Sequence, residues 1–364
     1  MKFNYLFRKT DKLLLFVILL LVSFGSLMIY SSTHASGKGF YDLQRQIIWI
    51  ITGFVILIPI AFMDYRRYKG YYFFIYGLNI FILSIVFVRG ILTSGVERWI
   101  QIGPFTFQPS EFSKIFMILF LASFFCEREL NPISANDIFK AFLYLLPPMF
   151  LIYFQPDLGT ALALIVIFLG MLLLAGARWW HFGVFVLVGI VLVFSIFQFN
   201  ILKPYQMNRL FVFINPDLDP QSAGYNLNQA KIAIGSGGIF GKGLLSGTQT
   251  NLRFLPARHT DFIFAVIGEE LGLLGALSLL LLFFFLNFRV IRIALTAKDI
   301  FGSFLAIGIF SMWLFQILTN IGMNIGIMPI TGIPLPFISY GGSAMWVNMI
   351  SVGILLNIYR ERYG

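Results

Sequence analysis

The chain has 364 residues, 59% of them hydrophobic and only 12% charged, and its 26 Lys and Arg against 16 Asp and Glu give a formal net charge of +10. Soluble domains carry about 25% charged residues, so this composition excludes a water-soluble fold and places the chain in a bilayer. The positive excess reads as basic residues held at a membrane face, with no nucleic-acid partner; a single cysteine, Cys126, excludes a disulfide framework, and three histidines do not make a zinc cluster.

The N-terminal stretch MKFNYLFRKTDKLLLFVILLLVSFGSLMIY has a basic start and an apolar core. It shows no small-residue cleavage site, so it reads as a first spanning helix. A span needs roughly 20 mostly apolar residues. Ten segments qualify: 12–31, 45–63, 71–89, 110–126, 138–155, 158–175, 180–200, 262–288, 300–322 and 344–359. The fourth begins with charge and is the weakest as a full crossing. The fifth contains Pro147-Pro148, where a kink or break is expected. Ten crossings put both termini on one side. Lys and Arg crowd the loops on that side, among them Lys9, Arg66, Arg67, Lys69, Arg289 and Arg360. That bias marks it as cytoplasmic. The expectation is an all-α polytopic membrane protein, one domain over 1–364, with a long extracytoplasmic loop at about 201–260 between helices 7 and 8. Neither an internal repeat nor a flanking soluble domain is visible, so chemistry is expected in the helices and outer loops.

Four polar, Gly/Pro-rich stretches fall on the outer side. The first, ERWIQIGPFTFQPSEFSK (97–114), leads into the fourth span. Ser110 is a candidate N-cap there, and Glu111 and Lys114, three apart, share one helix face. They read either as an ion pair easing two charges into the membrane or as a substrate-binding pair. The second, FQPDLGTA (154–161), sets Asp157 at the bilayer edge, as an N-cap or as a ligand for a cation or sugar. The third is the long loop with Arg209, Lys242, Arg253, Arg258 and His259, ending at Asp261. Its glycines resemble a phosphate loop only superficially. Ser236 stands at the first Gly position of the G-x-x-x-x-G-K-[ST] pattern and Gly243 at the Ser/Thr position, so no nucleotide is expected. YNLNQAKIAIGSGG is too short to span and reads as a re-entrant or surface-lying helix. The fourth, MNIGIMPITGIPLPFISYGGSA (323–344), carries no charge and reads as irregular backbone, which at membrane depth must be buried or line a wet cavity.

Asp261 directly precedes an apolar run and reads as a helix cap or as a functional acid. Glu269 lies about 12 Å deeper, and Glu270 is turned about 180° from Asp261, so the three acids cannot form one cluster. The two glutamates read as polar anchors inside the bundle, and Gly268 and Gly272, four apart, as a close-packing pair. The residues alone therefore describe an outward-facing cavity lined by Glu111, Lys114, Asp157 and Asp261, with Arg209, Lys242, Arg253 and Arg258 nearby. It suits a substrate with phosphate and hydroxyl groups. It suits an ion path or transporter almost as well.

QPSEFSK, QPDLGTA, ARHTDFIFAVIGEELGLLG and ITGIPLPFISYGGS, in this order, resemble the signature segments of the SEDS family (shape, elongation, division and sporulation). The likeness runs over nearly the whole chain, and MNIGIMPITGIPLPF with the lack of long tails is closer to the elongation member than to the division member. The resemblance implies a peptidoglycan glycosyltransferase for cell-wall elongation and rod shape. It would polymerise lipid II into β-1,4-linked glycan by one inverting displacement, with undecaprenyl diphosphate leaving. It implies a class B penicillin-binding protein as partner, a bacterial cytoplasmic membrane location with both termini cytoplasmic and an extracytoplasmic active site, and a divalent cation, Mg or Mn. Asp261 becomes the catalytic acid, and Glu111, Lys114, Asp157, Arg209, Lys242, Arg258, His259, Ser339 and Gly341 the substrate-binding candidates. The metal ligands are left open among Asp261, Asp157 and Glu111. The alternative is a flippase or transporter of a lipid-linked precursor.

Overall fold

The computed structural model describes residues 10–89, 91–93, 96–102, 105–128, 133–199, 207, 211–213, 215, 219 and 223–362; Arg209 lies outside them. The chain is helical almost throughout. In order come α1 (Lys12–His34), α2 (Gly39–Phe62), a 3-10 segment (Tyr65–Tyr71), α3 (Tyr72–Arg89), strands β1 (Ile91–Thr93), β2 (Val96–Ile102) and β3 (Phe105–Phe107), then α4 (Pro109–Cys126), α5 (Ala135–Phe154), α6 (Leu158–Leu174) and α7 (Trp179–Phe199). After the outer segment come α8 (Ala223–Gly237), the single turn α9 (Thr248–Asn251), α10 (Ile263–Leu295), α11 (Ile300–Ile325) and α12 (Gly342–Glu361). Among the described residues 8 helical segments are long and apolar enough to cross a membrane, and two shorter apolar helices lie at Leu158–Leu174 and Trp179–Val191. With these two the crossings are the expected ten.

Three local expectations are corrected. The stretch before α4 is a small antiparallel sheet, with Ile100 opposite Phe107 and Ile102 opposite Phe105. It adds strands to an otherwise all-helical fold. α5 continues through Pro147 and Pro148 without ending. The N-cap of α4 is Gln108, with Pro109 in the first turn, and the Ser110 hydroxyl is turned to Asp157 instead.

α4, the weakest span by composition, is the most enclosed. It packs against α3, α5, α6 and α11, and Phe120, Leu121, Phe125 and Lys114 are buried in it. Its two charges neutralise each other, Lys114 Nζ to Glu111 Oε2 at 2.8 Å. α1, α2, α5, α7 and α10 turn Leu, Ile, Val and Phe outward, as a lipid-facing shell must.

α10 holds the feature that sets the outer half. Gly272 has φ +65 and ψ −159, which breaks the helix between its two acids and the rest of the span. A helix would bond Leu273 N to Glu269 O and Leu274 N to Glu270 O. Instead Leu273 N donates to Gly238 O and Leu274 N to Ile239 O, while Lys242 N and Gly243 N donate to the Glu269 and Glu270 carbonyls. The glycine-rich loop is thus spliced into the break, and every exchanged bond is replaced. Only glycines allow the approach: a Cβ on Gly272 would lie 2.3 Å from Gly241 N, and one on Gly241 would lie 2.2 Å from Glu270 O. The eighth span is therefore two helices that meet at a kink, and Gly272 is a break as well as a packing site. α8 lies along α10 and α11 as a non-spanning helix.

Gly272→Ala should lower the melting temperature in detergent and expose the 238–260 segment to protease, because a non-glycine residue at positive φ is strained and also meets backbone. Gly77→Ala in α3, where a Cβ meets nothing within 4 Å, should leave stability unchanged or raise it by up to about 1 kcal/mol through helix propensity.

Candidate functional site

Glu269 and Glu270 are both fully buried. The Glu269 carboxylate accepts from Lys242 Nζ at 2.9 Å, Thr248 Oγ1 at 3.2 Å, Gln249 N at 2.8 Å, and Thr250 N and Oγ1 at 3.1 and 2.8 Å. It caps α9 from a neighbouring helix, where the sequence supplies no side-chain cap. Glu270 accepts from Ser31 Oγ at 2.5 Å, and Ser31 accepts from Leu245 N at 3.1 Å. An acid at the centre of a spanning helix costs about 2.5–3.5 kcal/mol on insertion scales. Hydrogen bonds to a charged group return about 1.5–3 kcal/mol each, so five of them outweigh that cost. The two acids anchor the outer loop and are enclosed by it. Lys242, a substrate-binding candidate by sequence, is committed to this anchor.

The anchored loop delivers the turn before α10. Arg258 is buried and donates from Nε to Ser32 O at 2.5 Å. The next three carbonyls are each held from the 320–340 region. His259 O accepts from Tyr340 N at 2.9 Å. Thr260 O accepts from Ser339 Oγ at 2.6 Å. Asp261 O accepts from Asn320 Nδ2 at 3.1 Å and Asn324 Nδ2 at 3.0 Å. Asn320 also donates to Ile333 O at 2.8 Å, and Asn324 Oδ1 accepts from Ala265 N at 3.1 Å. Two amides four apart on α11 thus lock the Asp261 turn, the start of α10 and the Pro-rich segment together. Asp261 does not cap α10: the N-cap is Phe262, without a side-chain bond. Its carboxylate faces Gly332, with Oδ2 3.5 Å from where a Cβ there would lie; Gly332 has φ +74.

The same Pro-rich segment reaches the second acid. A Cβ on Gly159 would lie 2.6 Å from Ile333 Cγ1 and 3.2 Å from Thr331 O. Thr331–Ile333 therefore runs between the start of α6 and the Asp261 turn. Asp157 is the N-cap of α6, accepting from Thr160 N and Oγ1, and it also accepts from Ser110 Oγ at 2.8 Å and Gln108 Nε2 at 3.2 Å. Arg98 of β2 holds the preceding turn through the Gln155 and Pro156 carbonyls. The sheet thereby fixes Asp157, and Ser343 of α12 accepts from Gln108 N.

The candidates divide by burial. Glu111 is 4% exposed and paired with Lys114, and Asp157 is 8% exposed with four neutral donors. Asp261 is partly exposed. Among the described residues no three His, Cys, Asp or Glu side chains converge as a metal cage. Ser339 is a structural clasp, bonded to Leu335 N as well as Thr260 O, and Gly341 is the N-cap of α12. His259 packs edge-on against Tyr340, and burial holds its imidazole below the ordinary value, which favours the neutral form.

The sequence reading missed the groups around that ring. Asp42 and Arg45 at the outer end of α2 both act electrostatically on Tyr340, and Asp42 and Lys38 on His259. Asn320 and Asn324 had a signal: two amides in helical register inside an apolar span.

The sequence profile of the family described as cell cycle protein (FtsW, RodA, SpoVE) matches residues 11–364. The chain is 40% identical over 352 residues to the peptidoglycan glycosyltransferase MrdB of Escherichia coli K12, covering 97% of this chain and 94% of that one. It is 34% identical over 422 residues to the peptidoglycan glycosyltransferase RodA of Treponema pallidum, covering 96% and 97%. A solved chain described under the structural coordination of polymerization and crosslinking by a peptidoglycan synthase complex superposes with a TM-score of 0.84 at 30% identity, covering 97% and 98%.

Asn320→Leu should leave the Asp261 and Ile333 carbonyls short of a donor, at about 1–3 kcal/mol for a buried unpaired group. Amide hydrogen exchange over 258–265 should speed up by about tenfold or more while the ends of α11 stay protected. Unchanged exchange would show that the turn is held by other contacts.

Proposed function

The chain belongs to the FtsW, RodA and SpoVE family of membrane cell cycle proteins, and from that premise we propose that it is a RodA-like peptidoglycan glycosyltransferase that polymerises lipid II for cell-wall elongation. The observation that carries the assignment of roles is the Asp261 turn: three successive carbonyls are clamped while the residue stands partly exposed. A general base must be within hydrogen-bond reach of the proton it takes, and a fixed backbone supplies that positioning.

The step is one inverting displacement. Asp261 takes the proton of the acceptor sugar hydroxyl. The acceptor oxygen attacks the donor anomeric carbon, and the bond to the diphosphate breaks on the opposite face. Undecaprenyl diphosphate departs with the bonding pair, and the α-linked donor becomes a β-linked product. No nucleotide is needed, because the lipid diphosphate bond supplies the driving force. Mg²⁺ is commonly held by one or two carboxylates together with substrate phosphates. Asp261 is the acid whose exposure fits that role, since Asp157 and Glu111 are buried. Bound there, a divalent cation would offset the charge of the leaving diphosphate.

A lipid-linked substrate also needs a place for its tail. Along α5 and α6 runs an apolar groove of about 800 Å³, lined by Leu146, Phe150, Tyr153, Leu158, Leu162 and others. It ends beside Asp157, in the half of the bundle that holds the Asp261 turn. A prenyl chain in it would gain about 0.8 kcal/mol per buried CH₂ against water, though little against lipid, so the groove orients the substrate more than it holds it. The orientation follows the positive-inside bias, with both termini cytoplasmic and the 223–261 segment outside. A class B penicillin-binding protein is the proposed partner, crosslinking the strands made here. The coordination of polymerization and crosslinking described for the similar complex supports that pairing.

Asp261→Asn keeps the size of the side chain and loses the carboxylate. With purified protein, lipid II and the partner, polymerisation should fall by about 10²–10⁴ at unchanged melting temperature; near-normal glycan synthesis would remove Asp261 from the chemistry. His259→Ala should cost far less. For the orientation, Leu252→Cys in a Cys126→Ser background should react with an impermeant thiol reagent from the extracytoplasmic side. Reaction only after the cytoplasmic face is opened would invert the topology.

A further inference from the structure

The opposite face carries a second built feature that the proposed chemistry does not use. At the ends of α10 and α12 lies a cavity of about 140 Å³ lined by Arg289, Arg292, Ile293, Thr296, Tyr359 and Arg362. One water needs only about 10–15 Å³ by a comparable measure, so this space admits a group the size of a phosphate. Three guanidinium groups from two helices line it, and no acid does.

Arg289 is fixed in place: Nε and Nη2 donate to Asp11 Oδ2 at 3.0 and 2.5 Å, and its Cζ lies 5.9 Å from the Tyr359 ring centre. Asp11 caps α1 with its other oxygen, accepting from Leu14 N. Asp11 is therefore engaged on both oxygens. Glu361, next to Arg362 in sequence, is paired with Arg360. Arg292 stands over Phe288, with Cζ 5.1 Å from the ring centre.

The lining is basic and includes no acid, so the cavity takes an anion. The surroundings decide where the anion comes from. Phe288 and Leu295 beside the cavity are exposed apolar side chains, Leu295 at 78%, and the site lies where two spanning helices end. A basic pocket between such helix ends suits a lipid head group with its acyl chains alongside.

We propose that this cavity binds the phosphodiester of an anionic phospholipid in the leaflet on the side of the two termini. Bound there, the lipid bridges the ends of α10 and α12 and stabilises the face opposite the Asp261 turn. The site does not depend on the glycosyltransferase reading, and its test reads no activity.

The test is thermal unfolding of the purified full chain in detergent, titrated separately with dioleoyl phosphatidylglycerol, dioleoyl phosphatidylcholine and inorganic phosphate. Phosphatidylglycerol should raise the melting temperature saturably, at lower concentration than phosphatidylcholine, and inorganic phosphate at equal concentration should not. Arg292→Gln with Arg362→Gln should weaken the phosphatidylglycerol response by about tenfold or more, at about 1 kcal/mol per basic residue. Arg289 is left intact because it holds Asp11. Arg67→Gln, on the same face but outside the cavity, should respond like the parent. Equal responses to the two lipids, an unaltered response in the double variant, or a shift with inorganic phosphate alone would each overturn the assignment. If the double variant melts early without lipid, the comparison of lipids on the parent chain still decides.

Discussion

A carboxylate buried inside a spanning helix is costly unless it is hydrogen-bonded, and Glu269 meets that constraint with the outer loop. Its five donors come from Lys242 and from Thr248, Gln249 and Thr250. The bond network works in both directions. The loop satisfies the acid, and the acid fixes the loop at membrane depth, where unsupported irregular backbone is not tolerated. The break at Gly272 makes room for this, and the loop replaces the bonds the break removes. The placement of residues 253–261 is inherited from that splice.

From there the acids divide their roles by enclosure. Asp157 caps α6 and gathers the β3–α4 corner. Glu111 neutralises Lys114 inside the most buried helix. Asp157 holds neighbouring elements together, whereas the Glu111–Lys114 pair lies within one helix. At Asp261 the backbone carbonyl is itself a clamped point. Asn320 and Asn324 hold its carbonyl, Ser339 and Tyr340 hold the two before it, and Gly332, at φ +74, makes the turn that passes the carboxylate. Rigid positioning of a partly exposed acid is what a general base requires.

The crossings were legible because bilayer thickness imposes a length and a composition that local sequence displays. The reading of 300–322 against the observed Ile300–Ile325 shows the usual blur at helix ends. The sheet was less visible, since strands of three to seven residues carry little pattern, although Gly103-Pro104 between VERWIQI and FTF is a turn signal. The break at Gly272 was not legible. Glycine in a span signals packing as readily as a kink, and only the loop bonding at Glu269 and Glu270 distinguishes them. Asp261 stood out by sequence, but the cap reading fell only when the N-cap proved to be Phe262. Lys242 looked like a cavity residue because the sequence does not reveal which acid it meets.

The central claim is that an anionic oxygen at position 261, held by a clamped turn, is what the reaction requires. Asp261→Cys in a Cys126→Ser chain, oxidised to the sulfinate and checked by mass, tests it most directly, because the sulfinate restores a charged, two-oxygen group at the same carbon. With lipid II and the partner, the thiol form should be inactive and the sulfinate form should recover a measurable fraction of polymerisation, while the Cys126→Ser parent treated with the same oxidant keeps its rate. Equal activity of thiol and sulfinate forms, or no recovery in a fully converted and folded sample, would contradict it.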